Sequence, residues 1–400
     1  MSGEQPLSGM KVLELGQLIA GPFTAKILAE FGADVIKVEP PEKGDPLRVW
    51  RHVYKGNSLW WRVQSRNKKS ITINLKSEEG QQIVKDLVKD CDIVIENFRP
   101  GTLEKWNLGY DELSKINPGL ILARVSGYGQ TGPYRDKAGF GSVGESIGGL
   151  RHITGYPDRP PTRVGVSIGD ALAAMYSVIG ALMAVYHRDV KGTGKGQVID
   201  VALYEAVFSM MEGTLPEYDK LGVVRERTGS SLPGIAPSNT YECQDGKYII
   251  IGGNGDTIFK RLMSAIGRDE LAEDERFQNN VGRSEHAEYL DQIIEAWTRT
   301  VPLDEALSVL DEAKVPAGGI YSIEDIVNDP HYLNRGMIQD FEMDGEESIK
   351  VPGIVPKMSE TPGKTKWLGP ELGAHTDEIM KNWLSYDKAK IQELKEKGII

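Results

Sequence analysis

Short apolar runs alternate with helix-spaced segments through the first half of the chain. KVLEL (Lys11–Leu15), DVIKVE (Asp34–Glu39), SITINL (Ser70–Leu75), DIVIE (Asp92–Glu96), LILARV (Leu120–Val125) and QVIDVAL (Gln197–Leu203) read as strands. Between them, Phe23–Phe31 has apolar residues at helical spacing, and Ser77–Asp90 is an amphipathic helix with a serine near its start. An uncharged stretch of 16 residues, Ala171–Tyr186, predicts a further helix. Strands separated by helices of this length imply crossover connections and a mostly parallel sheet, an α/β architecture.

The pattern changes after about Val223. RERTGSSLPGIAPS (Arg225–Ser238) is a Gly/Pro/Ser-rich connection, and Asn239–Gly253 reads as a hairpin around an Asp-Gly turn. Helical segments follow at Thr257–Ile266, Ala287–Thr298 and Leu303–Ala313. These predict a smaller α+β domain that ends near Tyr321–Asp329. DFEMD (Asp340–Asp344) and SIKVPG (Ser348–Gly353) read as strands, and the tail from Thr376 as helical. The expected division is 1–224, 225–329 and 330–400; periodicity alone does not assign the tail to either domain.

Composition narrows the class. A length of 400 residues suits two or three domains, and 26% charged with 40% hydrophobic residues is ordinary globular usage. The net charge of −11 argues against non-specific binding to nucleic acid or an anionic membrane. Cys91 and Cys243 form no CxxC pair, and the 6 histidines show no ligand spacing, so no metal site is expected. The start, MSGEQPLSGMKVLEL, lacks a basic region followed by an apolar one, so no secretory signal is visible. Ala171–Tyr186 is shorter than the roughly 20 residues of a membrane span and reads as a buried core helix. A soluble, cytoplasmic protein is expected.

Several features could carry chemistry. Gly16 and Gly21 follow the first strand, and Glu39 closes the second, which outlines a dinucleotide site. The spacing is G-x-x-x-x-G, however, and a generic doubly wound fold explains it as well. The literal G-x-G-x-x-G at Gly139, Gly141 and Gly144 does not directly follow a strand. From Arg48 to Lys76 the chain carries eight basic residues and no Asp or Glu, with Trp50, Tyr54, Trp60 and Trp61 among them. That stretch is either a solvated loop or a site for a phosphorylated, aromatic-bearing ligand. Asp170 precedes the uncharged helix: it is either an N-cap or a carboxylate nucleophile held ionised by the same helix end. Gly252, Gly253, Asn254 and Gly255 are either a tight turn or a mobile flap over a site.

These strings resemble a family. LSGMKVLELGQLIAGP (Leu7–Pro22), GADVIKVEPPEKGD (Gly32–Asp45), NKKSITINLKSEEG (Asn67–Gly80), ENFRPGTLEKWNLGY (Glu96–Tyr110), GYGQTGP (Gly127–Pro133), VGVSIGDALAA (Val164–Ala174) and LGAHTDEI (Leu372–Ile379) look like the class III, formyl-CoA transferase-like CoA-transferases (CaiB/BaiF family). The resemblance implies a Rossmann-like large domain completed by the tail, a smaller inserted domain, and a ring-shaped subunit in an interlocked homodimer. It implies Asp170 as the nucleophile, with mixed-anhydride and aspartyl-CoA thioester intermediates. Coenzyme A contacts would fall on Ile73, Asn74, Leu75 and Lys76, on Asn97, Phe98 and Arg99, on Lys105, and on Ala138, Gly139, Phe140 and Gly141. The CoA thioester is a substrate, with no tightly bound cofactor, and the other partner is a small carboxylic acid.

Two departures bear on substrate. The oxalate-using prototype has glutamine where this chain has Ile19, and Tyr-Glu where it has Phe140-Gly141. The pattern leans toward succinyl-CoA or acetyl-CoA with dicarboxylic acids. The alternative is an isomerase like the α-methylacyl-CoA racemases, which pair the aspartate with a histidine. Phe140 stands in that place and relays no proton.

Overall fold

The structure is a computed structural model that describes residues 4–343 and 347–400. The chain divides into two compact units. The first takes the chain up to Leu150, then Val164–Val223 and Gly336–Ile400; the second takes Arg151–Arg163 and Val224–Arg335. Arg151–Arg163 therefore leaves the expected 1–224 block, and the second unit runs past the expected 329.

The first unit is built on a six-stranded sheet in the order Lys68–Thr72, Asp34–Glu39, Lys11–Glu14, Ile93–Glu96, Ile121–Ser126, Val198–Ala202. Every neighbouring pair is parallel. Numbered along the chain the order is 3-2-1-4-5-6, so the winding reverses between Lys11–Glu14 and Ile93–Glu96. Successive side chains point to opposite faces, and both faces are covered. Val12, Val35, Ile93 and Ile121 pack with Leu28, Val178 and Ala181 on one side. Leu13, Ile36, Val94 and Leu122 pack with Ile83, Leu87, Ile379 and Leu394 on the other.

The third strand ends at Thr72 rather than at the expected Leu75. There the chain turns to the tail, and the Asn74 N–H donates to the carbonyl of Ile399 (2.7 Å). The same edge strand is closed by the LGAHTDEI segment. The Ser70 N–H donates to His375 Nδ1 (3.2 Å), the Thr72 N–H to Thr376 Oγ1 (3.1 Å), and the Gly373 N–H to Ser70 Oγ (2.9 Å). An open edge would invite pairing with another chain; here the tail occupies it.

The uncharged helix starts earlier than expected, at Ile168, and runs to Val185 with Asp170 in its first turn. Only one face is buried: Ala173, Ala174, Ser177, Val178, Ala181 and Ala184. Small residues there let it lie close to the helix Ala20–Glu30. Met175, Ile179, Leu182 and Met183 on the other face are 37–67% exposed. It is therefore not the all-round core helix that its composition predicts. With its continuation to Val190, it is the one helix among the described residues long and apolar enough to cross a membrane.

In the second unit, Ser238–Glu242 and Tyr248–Gly252 form the expected hairpin, and Ala317–Gly319 joins them antiparallel. Asp256–Ala265, Ala287–Thr298 and Leu303–Glu312 supply helices, around a core that includes Phe259, Phe277, Leu290 and Leu310. Ile338–Glu342 and Ser348–Pro352 pair antiparallel in the first unit. Asp344, the last residue of DFEMD, lies outside the described residues.

Five ionised groups are buried where the first three strands adjoin: Glu14, Lys37, Glu39, Asp45 and Lys68. Lys68 Nζ sits 2.8 Å from Glu14 Oε2 and donates to the Pro22 carbonyl (2.7 Å). Burial pulls its ammonium from 10.5 down to about 8. Between those values the unfolded chain holds a proton that the folded chain has lost, so this group makes stability rise with pH across that window. Lys68→Met should lower stability at neutral pH by about 3 kcal/mol, because Glu14 loses a buried partner. Urea midpoints measured from pH 7 to pH 10 should show the wild type climbing relative to the variant; a flat difference would refute the assignment.

Candidate active site

All six strands are parallel, so every segment that follows a strand emerges at one edge of the sheet. In such sheets ligands bind beyond that edge, at the point where the winding reverses. Here the crevice itself is filled by Asn97. Its Oδ1 accepts the Gln17 N–H (2.7 Å), and its Nδ2 donates to the Gln17 carbonyl (2.8 Å). A Cβ on Gly16 would lie 2.7 Å from Asn97 Oδ1, and one on Gly21 3.2 Å. The two glycines thus admit a carboxamide of the chain's own. Glu39 is also engaged: Arg48 donates to both its oxygens (2.7 and 2.8 Å), and Ser70 Oγ donates at 2.6 Å. Neither half of the dinucleotide outline is left for a ligand.

Beside Asn97 opens a cleft of about 420 Å³. Leu15, Val38, Pro40, Ile73, Phe98 and Trp106 give it apolar walls, and Asn74, Leu75, Lys43 and Lys76 also line it. Phe98 and Trp106 meet edge to face at 5.2 Å. The turn carrying Phe98 is held by Glu96, which accepts the Phe98 N–H (2.7 Å) and the Arg124 Nε–H (2.6 Å). Burial pushes the Glu96 carboxyl up to about 7 against the pull of Arg124. Lys76 and Lys43 stand at the rim, and Arg99 and Lys105 are exposed on the chain next to Phe98 and Trp106. No carboxylate among the described residues pairs with any of these four cations. Lys43 is the one that the sequence reading did not single out.

The basic run from Arg48 to Lys76 proves mostly internal. Arg48 pairs with Glu39, Lys55 with Glu347, Arg62 with Glu371, Arg66 with Glu30, Lys68 with Glu14 and Lys69 with Glu378. Among the described residues, only Arg51 and Lys76 of this run keep no carboxylate partner. Of the eight charges, read as either a solvated loop or a phosphate site, Lys76 lines the cleft beside Asn97, joined by Lys43 from an earlier loop.

Asp170 lies at the same edge of the sheet. It is half-buried in the first turn of its helix, and Gly169 beside it is buried. A Cβ on Gly141 would collide with Asp170 Oδ2, so the carboxylate rests against a bare Cα. Gly139 lies against the Cα of Gly127, just past the strand Ile121–Ser126, and Gly144 lies against Leu203. Each glycine of the literal G-x-G-x-x-G thus makes a close approach inside the protein. Ala138 and Phe140 are exposed, Phe140 by 61%. The structure brings Gly141 to Asp170 and gathers Ile73–Lys76 and Phe98 into the cleft. Asn97 it spends on the chain itself.

Gly252–Gly255 fall in the second unit and are fastened. The Gly252 N–H donates to Pro316 O (2.9 Å) and the Gly253 N–H to Pro237 O (2.8 Å). Buried Arg283 donates to Asn254 O (2.6 Å) and to Asp256 Oδ1 (2.7 Å). A Cβ on Gly253 would press on Leu262 at 2.6 Å. These contacts fit the tight turn, the first of the two readings given above.

The comparisons define the class. Residues 7–376 match CoA-transferase family III, and the chain belongs to that family: it is an acyl-CoA:carboxylate CoA-transferase. Among its relatives, the succinyl-CoA–D-citramalate CoA-transferase of Chloroflexus aurantiacus is 53% identical over 397 residues, covering 99% of this chain and 98% of that protein. The succinyl-CoA–L-malate CoA-transferase beta subunit of the same organism is 41% identical over 99% of this chain and 98% of its own. A CaiB/BaiF family protein from Brucella suis has the same fold, with TM-score 0.84 and 36% identity over 95% of this chain and all (100%) of that one.

Burial pushes the Cys91 thiol up to about 12 and raises that of Cys243. A thiol-disulfide reagent at pH 8 should therefore find neither cysteine in the native protein and both after denaturation. Fast native labelling with loss of activity would show a reactive thiol that this structure lacks.

Proposed function

We propose that this enzyme moves coenzyme A from succinyl-CoA to a small dicarboxylic acid, with Asp170 as the nucleophile. The observation that carries the reading is the setting of Asp170. A helix N-terminus favours its ionised form, and the bare Cα of Gly141 admits its carboxylate oxygen where any side chain would displace it. The names of the two Chloroflexus relatives support succinyl-CoA as donor and a hydroxylated dicarboxylate as acceptor.

In the reaction, an Asp170 oxygen attacks the thioester carbon, the C–S bond breaks, and CoA leaves as thiolate. The thiolate then attacks the Asp170 carbonyl of the mixed anhydride, which releases the donor acid and leaves CoA on the aspartate as a thioester. The acceptor carboxylate displaces CoA in turn, and the thiolate attacks the new acyl carbonyl. Asp170 is regenerated, with no net proton consumed. The nucleotide end of CoA occupies the cleft at Ile73–Lys76 and Phe98, with its phosphates toward Lys43, Lys76, Arg99 and Lys105. The chain at Ala138–Gly141 guides the thioester arm to Asp170.

The same reading takes the working form as a homodimer. The exposed apolar face Met175, Ile179, Leu182 and Met183, with Tyr186 (53% exposed) and Val190 (66%), is more than a lone soluble protomer ordinarily leaves uncovered.

Asp170→Ala should abolish CoA exchange while CoA still binds. Hydroxylamine added during turnover should mark the peptide that holds Asp170 in mass spectra; a mark on any other peptide would move the assignment. Lys43→Gln and Lys76→Gln should each weaken CoA binding about 3- to 10-fold at low ionic strength, and less in 0.5 M salt. Calorimetric titration reads both, and an unchanged affinity at low salt would remove the residue from the site.

A further inference from the structure

A second cleft of about 420 Å³ lies in the first unit alongside the start of the Asp170 helix. Ser167 and Ala171, which flank Asp170 in that first turn, form part of its wall. Ile19, Phe23, Trp60 and Val166 make most of the remainder apolar. Among the described residues that line the cleft, Arg51 is the one permanent positive charge and His52 the only other basic group.

Arg51 differs from its neighbours in the basic run. All but Lys76 find carboxylates within the chain, whereas the Arg51 guanidinium lies over the Trp60 ring at 4.6 Å and meets no carboxylate among the described residues. A guanidinium stacked by its face still presents its N–H donors at the edge, in a fork that matches two carboxylate oxygens. Its backbone has a left-handed φ of 58°, just before the hairpin Val53–Ser58, a conformation that few non-glycine residues adopt. An apolar slot beside the nucleophile, with one unpaired arginine in it, is built for a short chain that ends in an anion.

We propose that Arg51, stacked on Trp60, binds the distal carboxylate of the dicarboxylic substrates and so selects them over monocarboxylic ones. The inference rests on the CoA-transfer reading given above and adds the residue that sets its substrate class. Donor and acceptor acids pass in turn through the same Asp170. A distal carboxylate common to both meets the same Arg51 in each half-reaction, so one cation serves both.

The test follows exchange of isotope-labelled acid into acyl-CoA by mass spectrometry, for two matched pairs: succinyl-CoA with succinate, and butyryl-CoA with butyrate. Butyryl replaces the distal carboxylate with a methyl group. Arg51→Gln should lower kcat/KM for the succinyl pair about 100-fold, mainly through KM, and change the butyryl pair by less than about 3-fold. Arg51→Lys should recover part of the loss. Equal losses on both pairs would mean a structural role, and an unchanged succinyl pair would mean no contact; either overturns the proposal. A wild-type enzyme that prefers butyryl-CoA would overturn the role of Arg51 and leave CoA transfer standing. A wild type that exchanges neither pair would bring down the succinyl-CoA reading proposed above.

Discussion

The buried ammonium of Lys37 organises the ligand edge of the sheet. Its nitrogen lies 2.7 Å from Glu14 Oε1, 2.8 Å from Asp45 Oδ2 and 2.9 Å from the Gly16 carbonyl, which matches its three donors. Burial alone would depress its pKa; Asp45, Glu14 and Glu39 outweigh that and raise it. A charge so deep is tolerated only with such partners, so each partner's position is fixed in turn. Asp45 also accepts the N–H groups of Leu18 (3.0 Å) and Leu47 (2.9 Å). Leu18 takes a left-handed φ of 65°, and the helix Ala20–Glu30 begins directly after it. Asp45 starts the turn Pro46–Val49, which sets Arg48 between Glu39 and the Trp61 ring (3.7 Å). Gln17 of one cleft and Ile19 and Arg51 of the other follow from these turns.

The sheet was legible in the sequence because buried parallel strands are apolar on both faces and short, and the helices between them show their period. The charges were not. The carboxylates that neutralise Arg66, Lys68, Arg62 and Lys69 are Glu30, Glu14, Glu371 and Glu378, some of them on the far side of the chain in sequence. Counting charges along a segment cannot see partners that only folding brings near. Arg51 and Lys76 stood out only once the others had been paired. Asp170 was legible as a carboxylate at a helix start; the bare Cα that faces it was not, because a glycine shows nothing of its neighbours.

One device recurs at this edge. Gly16 and Gly21 admit the Asn97 carboxamide, Gly127 and Gly139 admit one another, and Gly141 admits the Asp170 carboxylate. In each pair a side chain is missing so that backbone can lie against a polar group or another backbone. Read as a string, glycines 139, 141 and 144 match a dinucleotide motif that does not directly follow a strand. Read in three dimensions, they are three separate close contacts, of which the one at Gly141 meets the Asp170 carboxylate.

The bond from Asn74 to Ile399, with the stitching of Ser70 and Thr72 to His375 and Thr376, joins the cleft at Ile73–Lys76 to the segment of the chain that is made far later. During synthesis the early strands can assemble, yet the outer side of the edge strand stays open and the loop Ile73–Lys76 lacks its bond to the tail until the tail emerges. The order of translation and the order of completion therefore run opposite ways. A partly made chain holds Asp170 and most of the sheet before the turn at Ile73–Lys76 has its support from the tail.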